Sequence, residues 1–143
     1  MNIINHIKVT HKFDENKISQ IISNISKTED KKIDCINFIL VDDKYLNKLK
    51  KEYFNQDYYT DVISFNLEDK NCPIDGEIYI SINRVILNAD KYNCSFNNEL
   101  KRIMIHGLLH LYGYNDITKY EKQNMTNLEN KYMNQNPGNI FIN

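Results

Sequence analysis

The stretch IMIHGLLHLYGYND, residues 103–116, constrains the fold more than any other part of the 143-residue chain. Its apolar spacing is that of a helix with a buried side, and His106 and His110 fall one turn apart on a different side. Leu100, Met104, Gly107 and Leu111 form the stripe that faces a core, which leaves both imidazoles to a cleft. Gly113 ends the helix, because glycine accepts φ > 0 without a Cβ clash and lets the chain reverse. A helix so apolar needs a sheet or other helices packed on it, so the chain must fold in layers.

The remaining segments supply those layers. Alternation in NIINHIKVTH predicts a first strand over residues 2–11, and Ile18, Ile21, Ile22 and Ile25 share one face of a helix in DENKISQIISNISK. Residues 34–41, DCINFILV, read as a strand buried on both faces. Asp42 or Asp43 caps the next helix, which carries Tyr45, Leu46, Leu49 and Tyr53 on one side and Lys48, Lys50 and Lys51 on the other. Strands over 61–67 and 76–82 form a hairpin across a polar stretch holding Pro73. Helices over about 83–92, 97–112 and 118–133 follow, broken near Cys94 and Ser95. The sum is an α+β fold in a single domain over residues 1–143, with a mixed sheet of about four strands and helices mainly on one face.

Composition excludes several classes. A formal net charge of −1 gives no global footprint for a polyanion, so nucleic-acid binding needs a local patch. Cys35, Cys72 and Cys94 form no CxxC pair, which argues for reduced thiols rather than a disulfide framework or a thiolate metal site. The N-terminus lacks a signal-peptide layout and no apolar run approaches the ~20 residues of a membrane span, so a cytoplasmic protein is expected.

From His106 onward the chain reads H-x-x-x-H-x-x-G-x-x-D, a frame in which the glycine turn delivers Asp116 as a third ligand beside His106 and His110. Imidazole and carboxylate are both good Zn²⁺ ligands, and three of them leave one position for a water. One Zn²⁺ per chain is therefore expected, on the helix and the following turn. An HxxxH pair alone fits two structural histidines equally well; the glycine and aspartate at fixed spacing favour the metal. Zinc peptidases of the HExxH kind carry a glutamate general base directly after the first histidine, and here that position is Gly107.

HGLLHLYGYND, the upstream YLNKLKKEYFNQDYYTDVISF and the DGEIYIS strand together resemble the YbeY family, single-strand-specific endoribonucleases of ribosomal RNA maturation. The resemblance spans residues 45–133, and the family motif HGxLHLxGYDH is met at every fixed position except its last two, here Asn115 and Asp116. The usual third ligand of the family is histidine, whereas this chain has Asp116. An arginine common after the tyrosine of the helix–loop segment is replaced by Phe54. The resemblance implies a zinc-dependent hydrolase of phosphodiester bonds acting in ribosomal RNA maturation and ribosome quality control. Its partners would be single-stranded RNA, ribosomal RNA above all, and ribosomal proteins, with neither DNA nor membrane.

For the substrate, Arg84 can meet a phosphate bidentately, and Lys48, Lys51 and their neighbour Lys50 can track a backbone; a capping role and a solvated basic face are the plainer alternatives. Thr60, Asp61 and Ser64 match the TDVLSF segment of the family, a groove-lining strand, and Thr60 with Asp61 equally suits a turn. Glu99 reads as an N-terminal helix charge, Glu121 and Glu129 as salt-bridging or solvent-facing groups, Met125 as core, and His6 and His11 as structural or surface residues. Two other functions remain open on sequence: a small zinc metallopeptidase, and a non-catalytic ribosome-associated binding protein with a structural metal.

Overall fold

Short polar side chains set the helix starts. The computed structural model describes residues 1–6, 9 and 11–142, in the order β1 (Asn2–Asn5), α1 (Glu15–Glu29), β2 (Ile33–Val41), α2 (Asp43–Phe54), β3 (Val62–Asn66), β4 (Ile74–Ser81), α3 (Ile82–Lys91), α4 (Phe96–Leu111) and α5 (Lys119–Gln135). Asp14, Asp42, Ser81, Ser95 and Thr118 each accept a backbone N–H of the first turn they precede, satisfying donors that a helix start leaves unpaired. Asp42, not Asp43, is thus the cap of α2. Asp43 instead accepts from the Ser81 hydroxyl at 2.6 Å and pairs with Arg84 at 3.3 Å, joining the starts of α2 and α3.

The four strands form one mixed sheet in the order β1-β2-β4-β3, with β1, β2 and β4 parallel and β3 antiparallel to β4 as the expected hairpin. The first strand is shorter than the predicted span 2–11. Its register runs from Asn2 beside Asn37 to Asn5 beside Leu40, and β2 ends at Val41, so little partner strand remains beyond that point. Ile7, Lys8 and Thr10 of the predicted span lie outside the described residues. The strand expected over 76–82 begins earlier, at Ile74, where it pairs with Ile33, and it stops at Ser81 because that residue caps α3.

Successive strand residues point to opposite faces. Ile36, Phe38, Leu40, Ile74, Ile78 and Ile80 join α1, α3, α4 and α5 in the main core, whereas Ile39, Val41 and Ile63 meet Leu46 of α2 on the other face. Helices therefore lie mainly on one face, as the sequence indicates. The apolar side of α2 is narrower than its spacing suggests: Leu46 is buried and Leu49 partly so, but Tyr45 and Tyr53 are exposed. Their rings lie along the sheet instead, Tyr45 stacked with Tyr79 and Tyr53 edge-on to Phe65.

Gly107 decides how α4 sits on the sheet. A Cβ there would lie 2.7 Å from Cγ2 of Ile78 and 3.2 Å from both the Ser64 hydroxyl and Cγ2 of Val62. Ser64 donates to the Gly107 carbonyl at 2.8 Å, locking β3 to the helix at the same place. Ile78 and Val62 are β-branched and stiff, so they yield poorly. Gly107→Ala should cost about 1–3 kcal/mol despite the better helix propensity of alanine, seen as a lower urea midpoint with an unchanged m-value.

Candidate metal centre and its cleft

With position 107 turned into the sheet, His106 and His110 emerge together on the flank of α4. Beyond the helix, Gly113 adopts φ 101°, and the chain doubles back as Gly113 and Tyr114 donate to the carbonyls of His110 and Leu109. The loop is held from outside: the Tyr114 hydroxyl donates to Glu29 at 2.8 Å, and the Tyr132 hydroxyl reaches the same carboxylate at 2.7 Å. Asp116 is thereby delivered to the histidines. Its Oδ2 lies 3.2 Å from Nε2 of His106 and 3.6 Å from Nε2 of His110, and the two Nε2 atoms are 3.0 Å apart.

These separations suit a small cation. Ligands about 2.0–2.1 Å from a tetrahedral zinc stand about 3.3 Å from one another, close to the three distances observed. The tautomers point the same way. The Nδ1–H of His106 donates to Glu129 at 2.7 Å and that of His110 to the Tyr114 carbonyl at 2.9 Å; both partners only accept, so each ring, when neutral, turns an Nε2 lone pair toward Asp116. Three lone pairs facing one another need a proton or a metal between them. His106, His110 and Asp116 thus form a possible metal-binding triad, with donor atoms all within 4.8 Å.

Glu129 was read from sequence as salt-bridging or solvent-facing. It does bridge to Arg102, at 3.2 Å, but it is only 9% exposed and its other oxygen holds His106. Its signal in the sequence is its place on the buried face of α5, with Met125 and Tyr132, where a lone carboxylate needs a buried partner. Burial lowers the pKa of His106, but the hydrogen bond from His106 to Glu129 and the charges of Glu129, Asp61 and Asp116 outweigh it and raise the pKa above the ordinary value. His110 is lowered by burial and by the neighbouring His106.

The triad lies in a cleft of about 390 Å³, lined also by Thr60 and Asp61 just before β3, by Ser64 within it, and by Lys50, Phe54 and Tyr58. Burial pushes the Asp61 carboxyl up, against the lowering effects of His106 and of the Asn88 amide that donates to it at 3.3 Å. Behind His106 a second cavity of about 560 Å³ contains Asp61, Glu99, Arg102 and Glu129. Glu99 sits in the first turn of α4, as a dipole role requires, yet it is buried, and that burial raises its pKa. Of the predicted phosphate ligands, Arg84 is bound to Asp43 and lies over the Tyr59 ring, Lys51 pairs with Asp57 at the surface, and Lys48 is exposed on α2; none of the three lines the cleft. Lys50 does. His6 packs edge-on to Tyr45 and His11 against Phe96 and Phe141, away from the triad.

A family model described as Endoribonuclease YbeY matches residues 2–136. The chain belongs to the endoribonuclease YbeY family. Relatives bearing that same name include one from Karelsulcia muelleri, 44% identical over 124 residues that cover 86% of each chain. Another, from Chloroherpeton thalassium, is 38% identical over 93% of this chain and 94% of its own. A solution structure of a Thermotoga maritima protein superposes with a TM-score of 0.55 at 25% identity, covering 94% of this chain and 91% of that one. In this member of the family the possible metal-binding triad carries Asp116 in third place, beside His106 and His110.

Because His106 retains its proton to a higher pH than an ordinary histidine, an entering cation must displace that proton. Metal uptake should therefore rise with pH through a window above about 6.5. Glu129→Gln should move that rise to lower pH and weaken affinity at pH 8 by about 10–100-fold, measured by competition with a zinc-sensing dye.

Proposed function

We propose that the protein is a zinc-dependent endoribonuclease that cuts single-stranded RNA, ribosomal RNA above all, with His106, His110 and Asp116 holding one zinc ion. The observation that carries this reading is the convergence of three lone-pair donors at near-tetrahedral spacing, in a chain of an endoribonuclease family. Bound there, Zn²⁺ would lower the pKa of a water toward ~7 and polarise a phosphoryl oxygen. Glu129 and the Tyr114 carbonyl keep the two imidazoles in the ligating tautomer.

Proton handling is assigned to Asp61, which lines the same cleft and whose carboxyl is held above the usual carboxylate range by burial. A peptidase reading lacks its base for a physical reason, since any side chain at position 107 would point into Ile78 and Val62 rather than the cleft. Thr60 lines the cleft as a neutral contact for substrate, while the Ser64 hydroxyl is committed to the Gly107 carbonyl. Ribosomal RNA as substrate implies ribosomal proteins as neighbours and the cytoplasm as compartment. Among the described residues no helix is long and apolar enough to cross a membrane.

Elemental analysis of protein purified without chelator or nickel resin, paired with cleavage of a fluorescent single strand of ribosomal RNA sequence, tests the reading. Wild type and Asp116→His should hold about one zinc per chain and cut, whereas His106→Ala and Asp116→Ala should lose both properties. Asp61→Asn should keep its zinc and lose about 10²–10⁴-fold in kcat. Undiminished cleavage by contaminant-free His106→Ala would sink the metal mechanism.

A further inference from the structure

The wall of the metal cleft contains a cation set between two exposed rings. The ammonium of Lys50 lies 4.8 Å from the ring centroid of Phe54 and 5.2 Å from that of Tyr58. All three residues line the cleft that holds His106, His110 and Asp116. Phe54 is 43% exposed and Tyr58 53%, a large apolar area to leave in water beside a polar site. Phe54 packs against Phe65, with centroids 5.9 Å apart and planes inclined by 26°, and the Tyr58 hydroxyl donates to Gln56 at 3.0 Å. Among the residues lining this cleft Lys50 is the one lysine or arginine, and Asp61 and Asp116 line the same cleft.

We propose that Lys50, Phe54 and Tyr58 form a nucleotide clamp that holds the residue adjoining the scissile phosphate of a single-stranded RNA. The assignment rests on the endoribonuclease reading above and deepens it. Lys50 meets a phosphate as a point charge, and the exposed faces of Phe54 and Tyr58 stack the attached base. Each part explains the other: a phosphodiester drawn to the metal centre brings its neighbouring phosphate toward the ammonium of Lys50, and its base then has apolar faces on which to rest. Stacking of this kind needs an unpaired, unstacked base, so the clamp selects single strands over duplexes without reading sequence. Phe54, Tyr58 and Lys50 are thus positioning residues for substrate rather than groups that touch the reacting atoms.

The test uses zinc-loaded full-length protein and a fluorescein-labelled single-stranded RNA decamer with phosphorothioate linkages, followed by anisotropy. Phe54→Ala and Lys50→Ala should each bind about ten-fold more weakly, and Phe54→Tyr should restore the wild-type affinity. Lys50→Ala should also lower the slope of log affinity against log salt by about 0.7. A decamer lacking its bases should bind wild type and Phe54→Ala alike. If wild type binds and cuts RNA while both alanine variants bind as tightly as it does, or if Phe54→Ala weakens the baseless decamer equally, the clamp is overturned and the endoribonuclease reading stands. If wild type neither binds nor cuts single-stranded RNA, both fall together.

Discussion

The contact between α4 and the sheet at Gly107 is the constraint from which the site follows. A helix turns about 100° per residue, so once position 107 faces β3 and β4, positions 106 and 110 must both lie on one flank, within about 40° of each other. The absence of a side chain brings the helix axis close to Ile78 and Val62, and Ser64 fastens it there by hydrogen bond. The residue that a zinc peptidase would use for chemistry is here spent on packing. Position 107 therefore offers the cleft no carboxyl, whereas Asp61, just before β3, lines it beside both histidines.

The electrostatics of the centre are arranged in shells. Three lone pairs converge on one point, which is unfavourable without a positive charge, and each imidazole is held in that posture by an acceptor at its far nitrogen. Glu129 adds a further negative charge behind His106, and Arg102 neutralises part of it, so the buried carboxylate is not left alone. Replacing a third imidazole by the Asp116 carboxylate lowers the net charge of a loaded divalent centre by one. The ammonium of Lys50 at the cleft wall lies close to that centre's acidic surroundings without being one of its ligands.

Much of this was legible in the sequence because it is local. The order of strands and helices, the β3–β4 hairpin, the core stripe of α4 and the glycine turn before Asp116 all follow from periodicity and from residues a few positions apart. The difficulties arose where the partner is distant. The span of β1 depends on where β2 stops, not on its own alternation. The apolar side of α2 looked broad because Tyr45 and Tyr53 share a periodicity with Leu46, yet a four-stranded sheet offers room to bury only the middle of that face. Arg84 carried the chemistry of a phosphate ligand, but Asp43, distant in sequence, claims it.

By itself, then, the sequence determined that His106, His110 and Asp116 come together as a possible metal-binding triad, since an i, i+4 pair and a glycine turn define a geometry within one short segment. Tertiary structure alone decided which other groups serve it. Glu129 arrives from α5 and Asp61 from the edge of β3, while Lys50 and Phe54 come from α2 on the opposite face of the sheet. Side chains from separate helices and strands acquire a common cleft only when the layers are stacked, because no spacing along the chain encodes the distance between elements that meet through a shared core.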